Sequence, residues 1–98
     1  MMTERSKPTL AVVGATGAVG SVLLSVLSER YDVWGEIRLI ASPRSAGEVR
    51  QVRGEDVAVR ELTDSAFDGV DVAFFAVPPD VASHWAPIAT HRGVVVVD

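Results

Sequence analysis

Residues 10–27 read LAVVGATGAVGSVLLSVL, and the fold is decided there. Leu10 to Val13 run apolar and unbroken up to Gly14, as a strand buried on both faces requires. Past the turn Gly14-Ala15-Thr16-Gly17-Ala18-Val19-Gly20 the apolar period lengthens to that of a helix. Val19, Val22, Leu23, Val26, Leu27 and Arg30 share one helical stripe, opposite Ser21, Ser25, Ser28 and Glu29. A strand, a three-glycine turn and a helix in this order open a βαβ unit. The stripe of valines and leucines is expected to face the sheet.

Further strands follow outward from this unit. Valine is the commonest residue, with 18 copies gathered in short runs. Ile37–Ala41 is a second apolar run, stopped by Ser42-Pro43. Val57–Leu62 alternates, Val70–Val77 is again apolar, and Val94–Val97 is a fifth run. Thr63 or Asp64 can cap a single helical turn through Phe67. Asp80–Arg92 reads as a helix ended by Gly93, with Pro87 expected to kink or split it. Strands alternating with helices specify an α/β fold: a Rossmann-like, doubly wound, mostly parallel sheet of about five strands with flanking helices. Residues 1–9 read as a flexible N-terminal segment and 10–98 as one nucleotide-binding domain. Ser42–Gly54 reads as one long loop, and loops of that length usually carry function.

Composition removes several kinds of chemistry. The 98 residues include no cysteine, so there is no thiol nucleophile, thiolate metal site or disulfide in this chain. A net charge of −4 argues against a nucleic-acid backbone or an anionic membrane as partner. No apolar stretch approaches the ~20 residues that span a bilayer, and no signal-peptide pattern precedes Leu10, so the cytoplasm is the expected compartment. His84 and His91 have no patterned co-ligands and read as surface histidines rather than metal ligands.

The glycine turn carries the candidate site. Gly14 permits a tight turn off the strand, Gly17 lets the backbone approach a pyrophosphate, and Gly20 lets the helix press on the sheet. The amides of Thr16, Ala18 and Val19 would meet the phosphates at the positive end of the helix. The second strand ends in Ser42-Pro43-Arg44-Ser45, with no carboxylate before Glu48 to hold a ribose 2′-hydroxyl. Two hydroxyls and a guanidinium suit a 2′-phosphate dianion instead, which selects NADP over NAD.

With these residues in hand, the chain resembles the N-terminal half of aspartate-semialdehyde dehydrogenases. The likeness is carried by GATGAVG at 14–20, IRLIASPRSAG at 37–47, Glu61-Leu62-Thr63, Phe67 to Ala73, Trp85-Ala86-Pro87 and Gly93 to Asp98. It implies that Thr16 to Val19 hold the pyrophosphate of NADP and Ser42, Arg44 and Ser45 its 2′-phosphate, with Gly14, Ala15, Gly17, Ala18, Gly20, Ala76 and Val77 also among the cofactor-binding residues. It also implies reduction of aspartyl phosphate to aspartate semialdehyde by NADPH, on the route to lysine, threonine and methionine, in a homo-oligomer. The family's cysteine nucleophile and its acid/base histidine have no counterpart here, so catalysis and oligomerisation are expected to need a domain that this chain lacks. Where the family has Ser-Ala-Gly against the cofactor, this chain has Ala76-Val77-Pro78-Pro79. That turn is similar to the Ala-Leu-Pro of the N-acetyl-glutamyl-phosphate reductases, a second acyl-phosphate reductase family. A stand-alone NADP(H)-binding module without catalysis is the third reading that the residues allow.

Overall fold

The first strand is buried at all four positions, and its side chains divide two cores. In the computed structural model, which describes residues 7–29 and 33–98, β1 is Leu10–Val13. Leu10 and Val12 join one apolar cluster, and Ala11 and Val13 the other, on the opposite face of the sheet. Helix α1 (Ala18–Leu27) follows, then β2 (Ile37–Ala41), β3 (Val49–Val52) and β4 (Glu55–Glu61). A 3₁₀ turn (Asp64–Phe67), β5 (Val72–Phe75), α2 (Pro79–His91) and β6 (Val95–Val97) complete the chain. The strands form one sheet in the order β3-β4-β2-β1-β5-β6, parallel throughout except for β3 against β4.

Each helix covers one face. Leu24 and Leu27 of α1 pack with Leu10, Val12 and Leu39. Ala82 and Ala89 of α2 pack with Ala11, Val13, Phe67 and Phe75 on the other side. There the rings of Phe67 and Phe75 stack with centroids 6.1 Å apart, and Trp85 approaches Phe67 at 6.3 Å. Arg38 of β2 is the one charged residue buried among the described residues. Its guanidinium donates to the carbonyls of Ala66 and Asp68 and pairs with Glu36, so no buried donor is stranded. The Arg38 hydrogen bond holds the Glu36 carboxyl below its ordinary range, against a smaller opposing push from burial.

Four expectations need correction. The sheet has six strands, because the second half of the supposed loop 42–54 is β3, which pairs antiparallel with β4 through a two-residue turn. Arg53 and Gly54 both have positive φ, 54° and 79°, the backbone that a tight hairpin demands. Second, α1 is rotated from its expected facing. It buries Gly20, Leu24 and Leu27 and leaves Val19, Val22 and Val26 exposed. Third, of the two outcomes expected at Pro87 the split does not occur: α2 is one helix through it. Pro87 and Ser83 are both exposed, so the Ser83 carbonyl that the missing N–H leaves free meets water. Fourth, the apolar run 70–77 forms a strand only at 72–75, because Val70 turns inward after Gly69 and Ala76 begins the turn to α2. The single turn at Asp64–Phe67 and the left-handed Gly93 at the end of α2 stand where the sequence puts them, but Thr63, at the N-cap position, makes no side-chain capping hydrogen bond. Residues 1–6 and Arg30 lie outside the described residues.

Candidate functional site

Three of the expected features meet at the carboxyl ends of the parallel strands. The sheet order reverses at β1, since β2 lies on one side of it and β5 on the other. A crevice at such a switch point is where doubly wound sheets bind ligands. The turn from β1 is pinned from beneath: the amides of Gly14 and Ala15 donate to the carbonyl of Ile40 at 2.8 and 3.2 Å. Gly14 has φ +90°, and a β-carbon on it would lie 2.2 Å from the carbonyl oxygen of Ala76. A β-carbon on Gly20 would lie 2.2 Å from the carbonyl oxygen of Gly14. Those two glycines are therefore required by the protein's own packing.

Gly17 is different. Its φ is −80°, a backbone any residue can adopt, and a β-carbon would meet nothing closer than 3.5 Å. It is exposed and lines the crevice. The fold does not need a glycine at this position, and the space over Gly17 is open to the crevice. Ala18, Val19 and Gly20 stand in the first turn of α1, where N–H groups have no acceptor within the helix, and no acidic side chain competes for them.

The second-strand turn comes to the same place. Thr16 Oγ1 donates to Ser45 Oγ at 3.1 Å, tying the glycine turn to the loop after β2. That loop is itself ordered by the amides of Ser45 and Ala46 donating to the Ser42 carbonyl. Arg44 is exposed and forms no ion pair among the described residues, leaving its guanidinium available. Ser42 lines the crevice with Gly14, Thr16 and Gly17; Ala76, Val77 and Pro78 form its far wall. Ala15, by contrast, turns its methyl into the core.

Sequence reasoning did not find the apolar slot of Ala41, Leu62 and Val81. They come from the ends of β2 and β4 and the first turn of α2, and no local pattern joins them. A second cavity shares Gly17, Ala76, Val77 and Pro78 with the first and extends over Val19 and Phe74. The two together make one cleft across the switch point, with the apolar Ala41–Leu62–Val81 slot at one end, Asp98 among the residues of the other and the glycine turn between. The histidines stand apart, His84 edge-on to Trp85 and His91 in the last turn of α2.

The family model of the semialdehyde dehydrogenase NAD-binding domain matches residues 9–98. Aspartate-semialdehyde dehydrogenase of Prochlorococcus marinus is 39% identical over 90 residues, which are 92% of this chain and 26% of the relative. Aspartate semialdehyde dehydrogenase II of Vibrio cholerae, in a crystal structure complexed with ASA, superposes with a TM-score of 0.86 at 38% identity, covering 93% of this chain and 30% of that one. The Candida albicans enzyme, whose crystal structure is with NADP, gives 0.76 at 29% identity, over 93% of this chain and 29% of its own. The chain thus spans about a quarter of the length of the Prochlorococcus relative.

Proposed function

This chain belongs to the semialdehyde dehydrogenase NAD-binding domain family, and from that premise we propose that it is the NADP-binding portion of an aspartate-semialdehyde dehydrogenase. The single observation that carries the cofactor reading is the Thr16–Ser45 bond, which joins the pyrophosphate turn to a loop with hydroxyls, a guanidinium and no carboxylate before Glu48. In this reading the amides of Ala18 and Val19 hold the pyrophosphate over Gly17. Ser42, Arg44 and Ser45 hold the 2′-phosphate. The slot of Leu62 and Val81 takes the flat adenine, and Ala76 and Val77 back the nicotinamide end.

Held there, NADPH would supply the hydride for reducing an acyl phosphate, aspartyl phosphate, to its aldehyde, with inorganic phosphate as the leaving group. The chain's own part is to bind and orient. With no cysteine, it leaves a thioester step to the rest of the enzyme. The whole enzyme, in this proposal, is a cytoplasmic homo-oligomer serving lysine, threonine and methionine synthesis.

Calorimetric titration of the 98-residue chain with NADPH and NADH tests the cofactor reading. NADPH should bind at least about tenfold more tightly, since a 2′-phosphate gains charge-assisted hydrogen bonds. Equal affinities, or a preference for NADH, would overturn it.

A further inference from the structure

A dinucleotide is an anion, yet the one charged residue lining the cleft, among the described residues, is acidic. That residue is Asp98, and it makes no ion pair among the described residues. Its place follows from the sheet. β6 pairs with β5 in a register that sets Val97 beside Phe74, so Asp98 comes level with Phe75 at the carboxyl ends of the strands. Phe75, Ala76 and Val77 line the same cavity, together with Gly17 and Ala18. Arg44 stands on the other side of the switch point, in the loop after β2. In the order β2-β1-β5-β6, three strand spacings separate the two ends, about 14 Å. The site is thus polarised along its length, with a guanidinium beyond one end and a carboxylate at the other.

Charge decides what suits the carboxylate end. A carboxylate there repels the pyrophosphate, and any 2′-phosphate, whatever the state of the nicotinamide. That part of its effect is common to every form of the dinucleotide. The ring itself differs between forms: it is neutral when reduced and cationic once it has given up its hydride. An opposite charge within about 4–6 Å favours the charged form of a group, so a carboxylate beside the ring favours the cation.

We propose that Asp98 biases the cleft between the two redox forms of a nicotinamide dinucleotide, favouring the oxidised, cationic ring over the reduced, neutral one. The inference rests on the dinucleotide reading of the cleft, with Ala76 and Val77 behind the nicotinamide, but not on the 2′-phosphate. In the proposed direction of reaction the acyl phosphate gains the hydride and the ring becomes cationic beside this carboxylate. Asp98 acts on the charge of the ring and takes no part in moving hydride or proton.

A ratio of affinities tests this. Asp98→Asn and Asp98→Glu of the 98-residue chain are titrated calorimetrically, beside the unsubstituted chain, with NADP⁺, NADPH, NAD⁺ and NADH. Dividing the affinity for the oxidised form by that for the reduced form cancels two shared terms. These are the repulsion of the phosphates and the terminal carboxylate that every variant carries. Asp98→Asn should lower the ratio about three- to tenfold, in the NADP and NAD pairs alike. Asp98→Glu should keep it within about twofold of the unsubstituted chain, and the drop in Asp98→Asn should shrink in high salt. An unchanged or rising ratio in Asp98→Asn would overturn the proposal. Equal losses for both forms would overturn it in favour of an acceptor for the carboxamide that they share. A full drop in Asp98→Glu would also sink it, since a bias made by charge survives that change. Tighter binding of NADH than of NADPH overturns the 2′-phosphate reading, and a ratio that still falls in Asp98→Asn then supports this one alone. A chain that binds none of the four overturns the dinucleotide reading and this inference with it.

Discussion

The two strand-to-helix turns facing the cleft, β1 to α1 and β5 to α2, start from adjacent parallel strands and end in opposite chemistry. The first is Gly14 to Gly20, with no acidic residue in the opening turn of its helix. The second is Ala76-Val77-Pro78-Pro79, whose helix begins on a proline and carries Asp80 in its first turn. Pro79 has no N–H to offer, and the Asp80 carboxylate already occupies the favourable end of the α2 dipole. Both helices present their N-termini to one crevice, but only α1 offers an anion free amides with no rival charge in its own first turn. Direction of the dipole is common to all such folds. The residues of the first turn decide which helix takes the phosphate.

The strongest way to break this comparison is at Gly14. Gly14→Ala combines a left-handed backbone with a β-carbon 2.2 Å from the Ala76 carbonyl, which joins the two turns. Backbone strain and overpacking together should cost about 2–5 kcal/mol, a large part of the stability of a small domain. Urea unfolding followed by far-UV circular dichroism measures it. A loss below about 1 kcal/mol would mean that the turns are not in contact as described.

Gly17→Val separates ligand from fold. Nothing in the protein crowds Gly17, so the cost in stability should stay near 1 kcal/mol, the scale of losing a good N-cap. Nucleotide affinity should fall by about 3 kcal/mol or more, as the branched side chain fills the cradle and displaces charge-assisted hydrogen bonds. Calorimetry with NADPH, beside a urea titration, reads both quantities. Retained binding would remove the pyrophosphate from the first turn.

How much of this was legible in sequence depended on whether local chemistry had one solution. The glycine spacing did: Gly14, Gly17 and Gly20 sit between a strand and a helix, and the turn forms there. The facing of α1 had two, because Val19, Val22 and Val26 are as apolar as Leu23, Leu24 and Leu27. Packing of Leu24 and Leu27 against Leu39, Val52 and Val59 accompanies the facing adopted, and those partners are distant in sequence. The β3–β4 hairpin was hidden because Arg53 adopts the positive φ for which asparagine or aspartate is the usual signal. At the site, Thr16 and Ser45 could be named singly, but the bond between them spans 29 residues of sequence. The slot of Leu62 and Val81 had no sequence signal at all.

Arg44→Ala sharpens the comparison at the other end of the first turn. The side chain is exposed and unpaired among the described residues, so its removal should leave stability within about 0.5 kcal/mol. NADPH affinity should drop by about 1.5–3 kcal/mol, the value of a hydrogen bond to a charged group, with NADH affinity nearly unchanged. Parallel titrations with the two nucleotides give the difference directly. Equal losses would move the 2′-phosphate away from the β2 loop.

The smallest effect belongs to the second turn, at Asp80→Asn. Asp80 is exposed in the first turn of α2, where its charge favours the helix by about 0.3–1 kcal/mol, and the substitution should lower stability by that amount. Its effect on NADPH should have the opposite sign. Removing a carboxylate from the first turn of α2, next to the cleft residues Pro78 and Val81, relieves long-range repulsion of the phosphates, so affinity should rise by no more than a few fold and the gain should fade in high salt. Pro79 still withholds the first amide, so neutralising Asp80 does not turn α2 into a second phosphate cradle. Titrations at low and high salt separate the two possibilities. A rise of about tenfold or more that survives high salt would show that α2 also binds phosphate once its carboxylate is gone, and the contrast between the two turns would then rest on Asp80 alone.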